Sequence, residues 1–447
     1  MAKFLSIENY KEIFNKLGAV KSRKELDVFK RKLSTLYKIP LLSNFQLLKV
    51  YHKLLKAKSL PRSQEIENLL KIRPIRSMSG VVNISLLTKE YPCPGTCLYC
   101  PKERGIPKSY LSGEPAVERA KMLKFSPYRQ TKERIESLKM EGHEPDKIEA
   151  RVVGGTWSYY PKNYQTQFIK KIYDAANGRT AKNLAAAQKI NEKALHRIVA
   201  LSVETRPDYI NEDEIVRLRN FGVTKAELGV QSIYNDVLDF VLRGHTIEKT
   251  IEASRLLKDA GFKLSYQMML NLPKSSANRD FEMFEQIFEN ADFKPDYLKI
   301  YPLALLSEAP LHHLYKNKKF KIYNGSELID LIKKIKKITP YWTRIERVIR
   351  DIPADKVFEG GVKTSNLRQA IHDQADGLGV ICRCIRCREI KARYDPDEKF
   401  YLFREDYASA GGREIFLSFE SSGRTKLASF LRFRITSYHF NGGRHFF

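Results

Sequence analysis

The chain has 447 residues, with 79 Lys and Arg against 52 Asp and Glu, and a formal net charge of +27 at pH 7. Its mean hydropathy of -0.43 and its lack of any apolar run near the roughly 20 residues that cross a bilayer exclude a membrane protein, so we expect a cytoplasmic one. The basic excess favours a polyanionic partner, most simply nucleic acid, over a surface that is merely soluble.

Residues 1–75 predict a basic helical region. Apolar residues recur at helical spacing in Phe29–Leu36 and Phe45–Leu55, and basic residues outnumber acidic ones. Tyr37, Tyr51 and His52 are interleaved with the basic residues. This pattern suits an RNA-contacting region, although a charged helix face is more often simply solvated.

Beyond Lys71, short apolar or β-branched runs alternate with amphipathic segments. The runs predict six strands: Val81–Thr88, Ile148–Val153, Val199–Glu204, Ala226–Gln231, Leu264–Leu270 and Tyr297–Tyr301. The segments between them predict helices: Gln130–Glu141, Tyr164–Asn177, Asn211–Phe221, Ile247–Ala260 and Arg279–Asn290. This alternation indicates an α/β fold, a parallel sheet curled into a partial (β/α)6 barrel of the TIM type, with functional side chains at the carboxyl ends of its strands.

The remaining segments predict smaller elements. We expect an exposed extra helix at Ala181–Leu195, a basic amphipathic helix at Glu327–Ile338 and a closing strand at Trp342–Ile352. Phe400–Ile435 predicts strands and turns of a separate all-β or α+β unit.

A loop directly after the first predicted strand contains Cys93, Cys97 and Cys100. Three thiolates in this C-x3-C-x2-C spacing can hold three irons of a 4Fe–4S cube and leave the fourth iron free to bind a cofactor. The alternative is a zinc site, which needs a fourth ligand, and the nearest histidine is His143. The spacing favours the cluster.

Small or polar residues follow three of the predicted strands. Gly154 and Gly155 leave the backbone open to a cofactor after the second strand, although a glycine pair is more often a turn. Glu204 and Arg206 end the third strand, where the alternative is a structural salt bridge, and Gln231 ends the fourth. Because the carboxyl ends of parallel strands meet at one edge, these residues predict a cofactor site there.

A second cysteine group contains Cys382, Cys384 and Cys387. Its C-x-C-x2-C spacing is too tight for a second cluster loop and suits zinc, with His372 as a candidate fourth ligand. Several arginines surround the group, and this pattern suits an RNA-facing linker held by zinc.

Taken in order, these motifs resemble the catalytic subunit of Elongator and its stand-alone archaeal and bacterial relatives. The likeness runs from about Ile72 to about Arg434. Besides the two cysteine groups it rests on these segments: Lys71–Gly80, Tyr128–Thr131, Gly142–Lys147, Gly154–Thr156, Glu204–Asp208, Gly229–Ser232, Arg243–Thr246, Lys299–Pro302, Arg350–Pro353 and Ser365–Arg368.

The resemblance implies a radical S-adenosylmethionine (SAM) domain joined to a GNAT acyltransferase domain. Such an enzyme makes 5-carboxymethyluridine at the wobble position of tRNA. A 4Fe–4S cluster splits SAM, and the resulting radical takes hydrogen from the methyl group of acetyl-CoA. By the same resemblance, Lys147 contacts acetyl-CoA; the alternative is a surface lysine.

The resemblance also implies a division into domains. We expect a tRNA-binding region at 1–75, a radical SAM partial barrel at 76–355, a zinc-stapled linker at 356–399 and the start of a GNAT domain at 400–447. Family members continue after Arg434 into a Gly-rich turn that binds CoA, whereas this chain ends at Phe447. We therefore expect an incomplete acyltransferase half, which results from a frameshift, an early stop or a split gene whose second half a partner chain supplies, and we also consider a homodimer.

Two other functions fit parts of the pattern. A tRNA-binding protein could keep the cluster for structure alone, but it would need neither the glycine pair nor Lys147. A radical SAM enzyme with a small-molecule substrate is disfavoured by the net charge of +27.

Overall fold

The computed structural model describes residues 5–317, 319–360, 382–391 and 394–440. The chain divides into two compact units, the first made of Met1–Ile84, Tyr128–Glu149 and Ile172–Val199 and the second of Ser85–Pro127, Ala150–Lys171 and Ala200–Phe447. None of the helices among the described residues has both the length and the apolar character that a membrane span requires. The motif Ser365–Arg368 and His372 lie outside the described residues.

Four helices begin the first unit: α1 (Ile7–Leu17), α2 (Arg23–Tyr37), α3 (Asn44–Lys56) and α4 (Gln64–Leu70). Each follows a serine whose hydroxyl accepts a hydrogen bond from a backbone amide of the first turn, namely Ser6, Ser22, Ser43 and Ser63. The two helical segments predicted from apolar spacing lie within α2 and α3.

The apolar sides of these helices form a core. Leu17, Leu47 and Tyr51 are buried in it, and the Tyr51 ring packs on Phe14 with centroids 5.1 Å apart. Leu47 and Tyr51 are four residues apart and therefore share one helix face. The prediction that Tyr51 contributes to an RNA-contacting surface is wrong, because its side chain belongs to the core.

The strands of the second part of the chain are β1 (Val82–Leu87), β2 (Lys147–Val153), β3 (Arg197–Thr205), β4 (Lys225–Gln231), β5 (Lys263–Leu270), β6 (Tyr297–Pro302), β7 (Ala304–Leu306), β8 (Arg344–Arg347) and β9 (Val357–Gly360). Seven of them form one sheet in the order β1-β2-β3-β4-β5-β6-β8, and β7 pairs with β9. Pairing from β3 to β8 is parallel. The six predicted strands are confirmed, and the predicted closing strand is present as the shorter β8.

Helices connect these strands: α5 (Pro115–Met122), α6 (Pro127–Met140), α7 (Lys162–Asn177), α8 (Leu184–Asn191), α9 (Glu212–Asn220), α10 (Asn235–Phe240), α11 (Ile247–Asp259), α12 (Ala277–Glu289), α13 (Leu311–Lys316) and α14 (Gly325–Ile338). All five predicted crossover helices are present. The extra helix α8 is shorter than expected and not wholly exposed, because Asn191 is buried and donates a hydrogen bond to Asn177 (2.7 Å). Helices α5, α10 and α13 were not predicted, since each is too short to display a helical period.

A separate antiparallel sheet follows, made of β10 (Phe400–Ser409), β11 (Gly412–Ser421) and β12 (Leu427–Ile435). The strands and turns predicted for Phe400–Ile435 are therefore confirmed. Arg434 fixes this sheet to α11 by donating hydrogen bonds to Asp259 (2.6 and 2.9 Å).

Candidate active site at the carboxyl ends of the strands

The loop after β1 carries the first cysteine group. Cys97 is buried, and Cys93 and Cys100 are half-buried. The pKa of Cys97 is lowered to about 4 by the hydrogen bond from Cys100 and by the nearby charge of Arg243, whereas the pKa of Cys100 is raised by sharing that bond with Cys97. Because the thiolate is the form that binds iron, Cys97 is ready to act as a ligand.

The cysteine loop contains neither helix nor strand, and hydrogen bonds to its backbone hold it in place. The amide of Leu98 donates to the carbonyl of Val241 (3.0 Å), and its carbonyl accepts from the amide of Leu311 (2.8 Å). The Lys108 ammonium donates to the carbonyl of Gly95 (2.6 Å). The loop is therefore anchored by segments far from it in sequence.

The glycine pair after β2 lies beside the cysteine loop. Gly154 has a φ of +120° and Gly155 a φ of +73°, and a Cβ built at Gly154 would overlap the Thr88 hydroxyl. That hydroxyl donates a hydrogen bond to the Gly154 carbonyl (2.9 Å). The next residue, Thr156, brings its hydroxyl within 4.0 Å of the Cys93 sulfur. The structure thus brings two of the predicted motifs together.

Glu204, the next predicted residue, accepts hydrogen bonds from three donors. Its carboxylate accepts from the Tyr110 hydroxyl (2.8 Å), the Gln267 amide (3.0 Å) and the Lys299 ammonium (3.2 Å). Three donors from three separate elements fix the carboxylate in one orientation.

Arg206 combines a salt bridge with an unused donor. Two of its nitrogens donate to the carboxylate of Asp208, each at 2.9 Å, so the structural salt bridge considered from sequence is present. Its Nη1 is buried and has no hydrogen-bond partner among the described residues. A Cβ built at Gly95 would overlap this Nη1 and lie 3.4 Å from the Cys97 sulfur. A buried, unsatisfied donor is costly, so its position beside the cysteine loop suits an acceptor on a ligand.

Gln231 and Lys147, two further predicted site residues, lie at opposite ends of their strands. Gln231, the last residue of β4, is nearly buried with a φ of +74°, next to a register shift in the pairing with β5. Lys147 is the exposed first residue of β2, whereas Gly154 follows its last residue. A strand rises about 3.3 Å per residue, so Lys147 and the glycine pair lie at opposite ends of β2.

Comparisons with known proteins agree with this arrangement. The radical SAM superfamily profile matches residues 92–285, and the profile of the radical SAM C-terminal domain matches residues 295–376. The chain is 46% identical over 378 residues to a tRNA uridine(34) acetyltransferase of Methanocaldococcus jannaschii, which covers 82% of this chain and 70% of that protein. It is 38% identical over 383 residues to Elongator complex protein 3 of Homo sapiens, covering 82% and 69% of the two chains.

This chain belongs to the family of tRNA uridine(34) acetyltransferases and Elongator complex protein 3. The solved structure of the archaeal Elp3 of Methanocaldococcus infernus, with an N-terminal deletion of residues 1–46, matches with a TM-score of 0.70 and 43% identity, covering 79% of this chain and 78% of that one. The family resemblance and the partial-barrel fold predicted from sequence are therefore confirmed.

A radical SAM domain implies a 4Fe–4S cluster and SAM. The residues at the strand ends fit these groups. Three cysteines on one anchored loop offer ligands for three irons, and the unused Nη1 of Arg206 is directed at that loop. Gly155 leaves the backbone beside the loop uncovered, since a Cβ there would approach only the Tyr160 hydroxyl, at 3.8 Å.

Sequence reasoning missed a network of buried charges on one face of the sheet. Glu227, on the wholly buried β4, forms ion pairs with Lys299 and with Arg151 (3.2 Å) and lies 3.6 Å from Lys225. Lys299 links this group to Glu204 (3.2 Å). The sequence of β4 does indicate such a network, because the charged residues Lys225 and Glu227 occupy alternate positions of a mostly apolar strand.

The second cysteine group is compact. The sulfurs of Cys382, Cys384 and Cys387 all lie within 4.8 Å of one another. The pKa of Cys382 is raised by the hydrogen bonds it shares with Cys384 and Cys387 and by burial. Sulfurs this close together suit three ligands of a single metal ion better than ligands of three different irons in a 4Fe–4S cluster. The predicted fourth ligand, His372, lies outside the described residues.

The first prediction concerns the glycine turn. Gly154→Ala combines a φ that L-residues avoid with an overlap on Thr88, so we expect it to cost about 1–3 kcal/mol of stability and to weaken SAM binding. The matched control is Gly178→Ala, which also has positive φ (+68°) but open space around its Cβ. Thermal unfolding and SAM titration measure both effects. Equal behaviour of the two variants would show that the contact with Thr88 is unimportant.

The second prediction concerns Glu227. Burial alone would raise the pKa of this carboxyl, but the charges of Lys299, Arg151 and Lys225 hold it well below its usual value of 4.5. The stabilisation that ionised Glu227 gives to the folded protein is therefore complete above pH 4.5. It is lost as the pH falls through the lowered pKa of this carboxyl. Glu227→Gln removes the buried anion that Lys299, Arg151 and Lys225 share and should lower the free energy of unfolding at pH 7 by about 3–5 kcal/mol.

Urea denaturation at pH 7 and at pH values below 4.5 tests this expectation, with the exposed Glu282→Gln as the matched control. The variant should lose less further stability on acidification than the wild-type protein. A Glu227→Gln protein as stable as the control at pH 7 would contradict the importance of the buried network.

Proposed function

We propose that this chain modifies the wobble uridine of tRNA by radical SAM chemistry, with acetyl-CoA as the source of the added carbons. The observation that carries the proposal is the approach of Cys93 to Thr156, 4.0 Å apart, which joins the cysteine loop to the glycine turn in a chain of this family. Relatives from two archaea are named for tRNA uridine 34.

In this proposal Cys93, Cys97 and Cys100 bind three irons of the cluster, and the fourth iron is open to SAM. When bound, the cluster and SAM supply chemistry that abstracts a hydrogen atom from an unactivated C–H bond. Gly155 leaves room for the amino group of SAM to meet the backbone, because the space where its Cβ would stand is open, and Gly154 packs against Thr88 and fixes the turn.

Three further residues complete the proposed cofactor site. Arg206 has the N–H groups of its Nη1 available for an anionic acceptor such as a carboxylate. Glu204 is held in a fixed orientation by three donors, which suits a hydroxyl-bearing ligand such as ribose. Gln231 ends the neighbouring strand and offers an amide to the same region.

Lys147 and the second cysteine group receive separate roles. We assign Lys147 to acetyl-CoA, since an exposed ammonium suits its phosphates. We assign zinc to Cys382, Cys384 and Cys387, because their sulfurs are close enough for one ion.

The proposed RNA partner agrees with the charge of the chain. A net charge of +27 favours binding to a polyanion through release of its counterions. The basic helices α1 to α4 are proposed as part of the tRNA-binding region. A tRNA substrate also implies action in the cytoplasm.

The third prediction tests this function. The protein is reconstituted anaerobically with iron and sulfide, then supplied with dithionite, SAM, acetyl-CoA and tRNA. Liquid chromatography with mass spectrometry follows 5′-deoxyadenosine and 5-carboxymethyluridine. We expect both products from the wild-type protein and background levels of both from Cys97→Ala, because loss of an iron ligand removes the cluster or its electron transfer. The exposed Lys189→Gln serves as the control.

Each outcome separates the alternatives. Equal amounts of 5′-deoxyadenosine from Cys97→Ala and wild-type protein would contradict the assignment of the cluster. Deoxyadenosine without modified uridine would show a working radical SAM domain that lacks the rest of its acyltransferase half, and would contradict the proposal that this chain completes the tRNA reaction by itself. A loaded cluster with neither product, and with tRNA still bound, would identify a binding protein instead.

A further inference from the structure

Arg243 lies directly against the cysteine loop. It follows α10 in the motif Arg243-Gly244-His245-Thr246, and its amide donates to the carbonyl of Leu238 (2.8 Å). The side chain is buried, with 6% of its surface exposed. One guanidinium nitrogen donates to the sulfur of Cys97 (3.5 Å), and another donates to the carbonyl of Gly229.

The positive charge of Arg243 lies beside a cysteine sulfur. Among the described residues, Arg243 forms no ion pair with a carboxylate, whereas nearby Arg206 is paired with Asp208 (2.9 Å). The guanidinium instead contacts the Cys97 sulfur, 3.5 Å from its Nη1. A buried cation is costly unless it is paired, so the anion that compensates Arg243 is the thiolate loop and whatever this loop binds.

We propose that Arg243 sets the reduction potential of the iron–sulfur cluster. This inference rests on the assignment of the cluster to Cys93, Cys97 and Cys100. Uptake of one electron from a low-potential donor adds one negative charge at the cluster. A buried cation and an N–H donor beside a ligating sulfur stabilise that extra charge more than the oxidised state, and therefore raise the potential.

The geometry explains why arginine occupies this position. Its planar fork reaches the sulfur of Cys97 with one nitrogen and the carbonyl of Gly229, on β4, with another. Lysine carries the same charge at one point and cannot donate in two fixed directions. Arg243 thus ties the loop to the sheet and supplies a charge, and these two roles can be separated by substitution.

The experiment measures the midpoint potential of the reconstituted cluster without SAM, by redox titration followed by electron paramagnetic resonance. The variants are Arg243→Lys, which keeps the charge, and Arg243→Gln and Arg243→Met, which remove it. Lys189→Gln removes one exposed charge from α8 and is the matched control. Iron and sulfide content is measured for each protein.

We expect the neutral variants to be harder to reduce by at least about tenfold in the equilibrium constant, or about 59 mV for a one-electron couple. Arg243→Lys should shift less, and Lys189→Gln should match the wild-type protein. A neutral variant with a full cluster and an unshifted potential would overturn the inference.

Loss of the cluster is also informative. If both neutral variants fail to bind iron while Arg243→Lys binds it, the charge is required beside the anionic cluster, which supports the inference. If all three variants fail alike, Arg243 serves the architecture of the loop and the inference is wrong. A wild-type protein that binds no cluster would instead contradict the proposed function.

Discussion

The buried ion pair between Glu227 and Lys299 ties the strands of the parallel sheet together. It joins β4 to β6 inside the fold, and Arg151 on β2 and Glu204 on β3 are attached to the same two side chains. Removing ions from water is costly unless each is matched by opposite charge. The strands must therefore keep their register, and this requirement positions the residues at their carboxyl ends.

The site is assembled from loops that the sheet brings to one edge. The cysteine loop follows β1 and the glycine turn follows β2, and the two meet where Cys93 approaches Thr156. Arg206 follows β3, and Arg243 contacts both Cys97 and the backbone of β4. The cysteine loop supplies iron ligands, the glycine turn supplies backbone without side chains, and Arg206 and Arg243 supply positive charge. The proposed chemistry therefore depends on several motifs together.

The sequence predicted the parts of this structure that depend on local pattern. Short β-branched runs indicated the six main strands, and the cysteine spacing indicated the type of site. The buried network could not be predicted, because Glu227 and Lys299 are 72 residues apart and one sequence does not reveal their pairing. Arg243 was visible as part of a motif, but its contact with Cys97 spans 146 residues. Tyr51 was misassigned because composition does not show which face of a helix is buried.

The most direct test of this account is Mössbauer spectroscopy of the protein reconstituted with iron-57, recorded with and without SAM. If Cys93, Cys97 and Cys100 hold three irons, one of the four irons should change its spectrum when SAM binds, and the other three should not. Four irons that remain equivalent in the presence of SAM would contradict an open iron site. Such a result would remove the basis of the proposed radical chemistry.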